Sequence, residues 1–177
     1  MTAIWSSLIL GIILAFPYLL WELWRFISPG LTKKEIKSSR GFMFIASFLF
    51  FCGIAFSFYV IAPISIHFLY NYKISDVIQN NFTLESHIGL VTNMLLGVSV
   101  LFELPVLVYF LTKIGLVTPE FLKTYRKHAL VLVLILAAII TPPDVASQII
   151  VAIPILVLYE ISIKVSRMVI KKQKKDA

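Results

Sequence analysis

Charge is scarce in this chain, and acid is scarcer than base. Asp and Glu total 9 against 16 Lys and Arg, and all charged residues make up 14% of 177 positions. No stretch is polar enough or long enough to form a separate soluble domain, so the chain reads as one membrane domain, 1–177. Cys52 is the single cysteine, which excludes an internal disulfide; it reads as a small residue within an apolar run. The N-terminus lacks a basic stretch and a cleavage site, so no secretory signal peptide is expected. A His-Glu-x-x-His zinc motif, a Gly-x-Ser-x-Gly elbow and a phosphate loop are all missing. His67, His87 and His128 stand isolated near different membrane edges. Catalysis, metal binding and cofactor binding are therefore not expected.

What the chain has is hydrophobicity. Apolar residues are 59% of the sequence and the mean hydropathy is +0.93, against roughly 45–50% apolar residues in soluble domains. The expected architecture is an all-α integral membrane bundle with five spans, over about 4–24, 42–68, 88–111, 127–141 and 145–165. Helices are required because an open strand leaves backbone groups unpaired in lipid. The last two spans read as short. Ala129 to Ile140 is twelve apolar residues, and Ile149 to Tyr159 is eleven with Pro154 inside. Each run covers roughly 17–18 Å of a core about 30 Å thick. Such mismatch is met by tilt, by neighbouring helices or by local thinning of the lipid. Pro17, Pro63, Pro105 and Pro154 are expected to kink their spans.

The cations set the orientation. Fifteen of the sixteen lie in Arg25–Arg40, Lys113–Lys127 and the tail from Lys164. Lys73 is the exception, beside Asp76. A net charge of +7 by itself suggests nucleic acid, but this clustering is that of loops held on the cytoplasmic side. The basic tail, 166–177, reads as disordered and lipid-facing. Five spans with a cytoplasmic C-terminus put Met1 outside. The simplest account is a further span upstream.

Glu103 is the strongest single candidate. It lies in Phe102-Glu103-Leu104-Pro105-Val106, about eight residues inside the third span. A charge near mid-bilayer costs at least about 2.5–3.5 kcal/mol on insertion scales. Such a carboxyl should find a proton, a hydrogen bond or a wet cavity. Pro105 removes a donor and is expected to leave the Leu101 carbonyl free. Thr141-Pro142-Pro143-Asp144 forms a polar, helix-breaking elbow, with Asp144 suited to cap the next helix. Gln148 follows, and a side-chain amide in lipid demands a partner; Thr141 across the elbow is the expected one. Glu22 and Glu160 fall near cytoplasmic ends and are expected to reach the interface. In the first cytoplasmic loop Phe26 and Pro29 lie at the membrane surface, and Glu35 is one acid among five cations, a local net of +4.

These strings resemble the TatC family, the receptor of twin-arginine protein translocases. The matching residues are Phe16-Pro17-Tyr18, Trp24-Arg25-Phe26-Ile27-Ser28-Pro29-Gly30-Leu31 and Phe102-Glu103-Leu104-Pro105-Val106. They continue in order with Gly115-Leu116-Val117-Thr118-Pro119, Arg126-Lys127-His128-Ala129, Thr141-Pro142-Pro143-Asp144-Val145-Ala146-Ser147-Gln148 and Ile153-Pro154-Ile155. The family has six spans, and this chain is similar to spans two to six. The resemblance implies recognition of export signals bearing paired arginines, partners of TatA and TatB type with one span each, and self-association in a receptor complex. It also implies transport of folded proteins by the proton-motive force without nucleotide or cofactor, in the bacterial cytoplasmic membrane rather than a thylakoid. Phe26, Pro29, Glu35 and Glu103 would then meet the signal, and Thr141, Gln148 and Glu103 a partner helix. Pro142, Pro143 and Asp144 would shape the outer elbow. The family's acidic N-terminal segment has no counterpart in the sequence, and the +4 loop is expected to oppose paired arginines on its own. The rival reading from the residues alone is a self-contained transporter or channel centred on Glu103.

Overall fold

The structure, a computed structural model, describes residues 2–27, 33–71, 83–141 and 145–176. Among the described residues eight α-helices follow one another: α1 Thr2–Ile27, α2 Lys33–Phe56, α3 Ala62–Asn71, α4 Leu84–Phe102, α5 Leu104–Lys113, α6 Pro119–Thr124, α7 Arg126–Ile140 and α8 Val145–Asp176. A π turn, Ser57–Ile61, joins α2 to α3. No strand occurs among the described residues, in keeping with the all-α reading.

Among the described residues four stretches are long and apolar enough to cross a membrane: Ile4–Arg25, Met43–Tyr70, Glu85–Lys113 and Val145–Lys174. The expected fourth span corresponds to α7, 15 residues long, or roughly 22 Å. Its shortness agrees with the reading of the apolar run. The last helix does not. α8 is one continuous rod of 32 residues that passes through Pro154 and on into the tail. The tail is helical to Asp176 rather than disordered, because Lys and Gln are good helix formers and the rod is tied to its neighbours along its length. Pro17 likewise sits inside an unbroken α1.

The two remaining membrane prolines do mark irregularities. The π turn ends two residues before Pro63, where the ring removes a donor and crowds the preceding turn. The third span breaks at Glu103 into α4 and α5, with Pro105 in the first turn of α5. The Leu101 carbonyl is not left free as expected. The Glu103 N–H turns toward it and toward Val100 O, 3.1 Å away.

The largest buried apolar cluster lies where α4, α7, α8 and the π turn converge. Met94, Val98, Leu101 and Phe102 of α4 bury against Ile61, Val133, Ala137, Val151, Ala152 and Ile155. α2 crosses α4 at Gly53, where a Cβ would lie 2.7 Å from Ser99 Cα. Gly97 admits Ile140 of α7 as closely, at 2.8 Å. A second cluster joins Ile9 and Ile13 of α1 to Phe50 of α2, with Phe16 stacked on Phe50 at 3.5 Å between ring centroids. Val108, Leu122 and Ile163 form a third, binding α5, α6 and α8.

The outside of the bundle is apolar. Phe44 is 81% exposed, Leu14 77% and Ile139 75%. Contiguous apolar surface on this scale is a liability in water and costs nothing against acyl chains. The surface therefore agrees with the hydropathy: this is a membrane bundle.

Candidate functional site

Two polar features of the interior stand out among the buried Ser and Thr side chains. The first is Glu103 at the break between α4 and α5. Its neighbours in sequence, Leu101, Phe102, Pro105 and Val106, are buried. Both carboxyl oxygens are shielded, and neither has a hydrogen-bond partner among the described residues. An unsatisfied buried polar group costs about 1–3 kcal/mol, more if charged. The fold does not offset that cost with a bond of its own. The expectation that Glu103 needs a partner stands, and the described residues do not supply it.

The second feature is the α7–α8 hairpin. Gln148 Nε2 donates to Leu134 O across the hairpin at 2.9 Å. Thr141, buried at the end of α7, donates to Ala137 O one turn back at 2.9 Å. The expected sharing between Thr141 and Gln148 is thus not the arrangement found. Each side chain is taken by a backbone carbonyl, the commonest acceptor within reach of a helix in lipid. Thr141 nevertheless lines an open groove of about 470 Å³ with Leu90, Asn93, Ile139 and Ile140. Ser147 Oγ lies 2.9 Å from Ser65 Oγ and pins α8 to α3.

Glu103 and Thr141 sit at different depths. Gly97 meets Ile140, the neighbour of Thr141. Glu103 is six residues further along, roughly 9 Å down the axis. They form two stations on one bundle rather than a single pocket. The remaining expected site residues are less well placed. Pro29, Pro142, Pro143 and Asp144 lie outside the described residues. Phe26 and Glu35 belong to α1 and α2, and their side chains lie outside what the structure describes.

At the opposite end from the elbow, sequence reasoning missed a set of ties between α5, α6, α7 and α8. Arg126 Nη2 meets Glu160 Oε2 at 2.8 Å. Tyr159 Oη donates to Leu122 O at 2.7 Å, and Thr112 Oγ1 to Ser166 Oγ at 2.9 Å. Gln173 Nε2 donates to Lys113 O at 3.0 Å, just before Gly115 turns the chain at φ 81°. Glu160 is therefore ion-paired and half-exposed. Glu22, 3.7 Å from Arg25, accepts from Tyr18 Oη at 3.3 Å. Trp24 is buried and packs on Phe110, 5.7 Å between centroids. No group of three or more His, Cys, Asp or Glu able to hold a metal occurs among the described residues.

The break at an embedded Glu103 followed by Pro105, and a short α7 turning into a Gln148-bearing α8, are features that comparison with known proteins can place. A family model described as Sec-independent protein translocase protein (TatC) matches residues 1–154. The chain belongs to the TatC family. It is 44% identical over 170 residues to the Sec-independent protein translocase protein TatC of Blattabacterium sp. subsp. Periplaneta americana, covering 96% of this chain and 64% of that one. It is 46% identical over 169 residues to TatC of Helicobacter pylori strain J99, covering 96% and 68%. The chain thus spans about two thirds of the length of these curated relatives. The crystal structure of the twin-arginine translocase receptor TatC in DDM superposes with a TM-score of 0.78 at 34% identity, covering 92% of this chain and 72% of that one. The TatC family is a translocase component and not a catalytic family.

Proposed function

We propose that this TatC chain acts as the receptor subunit of a twin-arginine translocase in a bacterial cytoplasmic membrane, with its C-terminus cytoplasmic. In this reading it recognises export signals bearing paired arginines and gathers TatA- and TatB-type single-span helices. Folded cargo then crosses at the expense of the proton-motive force. The observation that carries the reading is the Glu103 carboxyl, held in the interior at a helix break with neither oxygen partnered among the described residues. A receptor waiting for another molecule's helix leaves such a group open; a helix-bundle glue does not. The groove beside Thr141 is the second station, for a partner helix. Phe26, Pro29 and Glu35 carry the signal-facing role on the resemblance alone. A self-contained conduit has less support, because a pore needs polar residues on facing helices. The residues beside Glu103 in the chain, Leu101, Phe102, Pro105 and Val106, are apolar and buried.

The test is export. Cells lacking their own receptor are given this chain with its TatA- and TatB-type partners and a folded fluorescent reporter behind a paired-arginine signal. Reporter outside the membrane, lost when both arginines become lysine and lost with Glu103→Leu, supports the proposal. Ion flux through liposomes containing the chain alone, abolished by Glu103→Leu, would instead favour the conduit.

A further inference from the structure

A row of exposed cations among the described residues is untouched by that function. It lies on the far end of α8. Val145 to Ile163 is nineteen residues ahead of the first tail cation, or roughly 28 Å of helix, which matches a hydrocarbon core of about 30 Å. Lys164 therefore stands where the acyl chains end. The helix does not stop there but runs on to Asp176.

Its rotation is fixed. Ser166 accepts from Thr112 at 2.9 Å, and Gln173 donates to the Lys113 carbonyl at 3.0 Å. Ser162, Ser166 and Gln173 are spaced four and seven residues apart, so they share the face turned to α5. Lys164, Arg167, Lys171 and Lys174 follow at spacings of three, four and three, on the opposite face. All four are exposed, and no salt bridge among the described residues involves any of them. Met168, 63% exposed, flanks the row.

We infer that this stripe is a binding surface for anionic phospholipid headgroups, rigidly presented by α8. The depth fits. From Lys164 to Lys174 the stripe rises ten residue steps, roughly 15 Å. The headgroup layer is about 5–7 Å deep on each side. Lys164 and Arg167 lie within it, and Lys171 and Lys174 lie within about one Debye length, 8–10 Å, of the charged surface. The long aliphatic stems let the charges reach phosphate while Met168 meets the acyl boundary. The occupant is lipid rather than an acidic protein because the stripe is continuous with a membrane span and begins at headgroup depth. The inference goes beyond the translocase reading and needs only that α8 crosses the membrane.

The experiment uses the full chain in detergent, incubated with equal amounts of phosphatidylglycerol and phosphatidylcholine, with bound lipids counted by native mass spectrometry. Phosphatidylglycerol should be preferred by at least about fivefold, the effect of one engaged cation. The combined change Lys164→Gln, Arg167→Gln, Lys171→Gln and Lys174→Gln should bring the ratio to parity. Lys123→Gln with Lys127→Gln, which leaves the stripe intact, should retain the preference. In the unaltered protein the preference should fall steeply between 50 mM and 500 mM salt, a readout that needs no variant to fold. Parity in the unaltered chain, a salt-insensitive preference, or a preference kept by the stripe variant but lost in the Lys123 and Lys127 variant would overturn the assignment. So would displacement of phosphatidylglycerol by polyglutamate, which would give the stripe to an acidic polypeptide.

Discussion

Glu103 separates two kinds of buried polar residue. Gln148, Thr141 and Ser147 each have a bond within the fold, and they hold helices together. Glu103 has none among the described residues. Replacing an unsatisfied group by an apolar one of similar volume removes a penalty of about 1–3 kcal/mol. Glu103→Leu should accordingly leave the isolated protein as stable as before or more so, while abolishing export. Thermal unfolding in detergent alongside the export assay checks this; a clear loss of stability would make the carboxyl structural. Gly53 gives the opposite expectation. A side chain there meets Ser99 Cα at 2.7 Å, backbone that cannot step aside. Gly53→Leu should destabilise by about 1–3 kcal/mol or more through overpacking. Gly11→Leu, with nothing within 4 Å of the new Cβ, should be neutral. Comparing their melting temperatures in one detergent decides it.

Among the elements, four membrane-length apolar stretches were legible among the described residues because lipid demands long apolar runs. That Glu103 is a carboxyl embedded among apolar residues was legible for the same reason. Its place at a break was not. Pro105 signals some disturbance, yet Pro17 and Pro154 sit in unbroken helices, so proline alone does not tell a kink from a break. The partner of Gln148 was misread because a backbone carbonyl fourteen residues back leaves no mark in the sequence. The helical tail was misread because lysine-rich composition also describes a solvated coil. What decides it is the Gln173 bond to Lys113, a contact sixty residues apart. The α7 helix carries its own prediction. At 15 residues it is short for a core of about 30 Å. If that mismatch thins the lipid where cargo crosses, inserting four leucines into α7 should slow export without changing the amount of protein in the membrane. Unchanged export with equal abundance would refute it. The Arg126–Glu160 pair is half-exposed on both sides, and a double-mutant cycle to Ala should yield no more than about 1 kcal/mol.

The whole molecule is a bundle that is apolar both inside and out, with aromatic and aliphatic side chains on its surface and a sparse set of polar ties within. α4 is its hub, meeting the π turn, α7 and α8 in one cluster and α2 through Gly53. Such a scaffold has little chemistry of its own and much surface for other helices. Its central claim is that another molecule's helix seats against the break at Glu103. The most direct measurement places a photocrosslinking amino acid at position 103, and at the lipid-facing position Leu14 as control, in membranes containing the partner proteins and a paired-arginine cargo. Adducts with the signal segment or a partner helix from position 103, not seen from position 14, are the predicted result. Adducts with lipid alone from both positions would contradict the account.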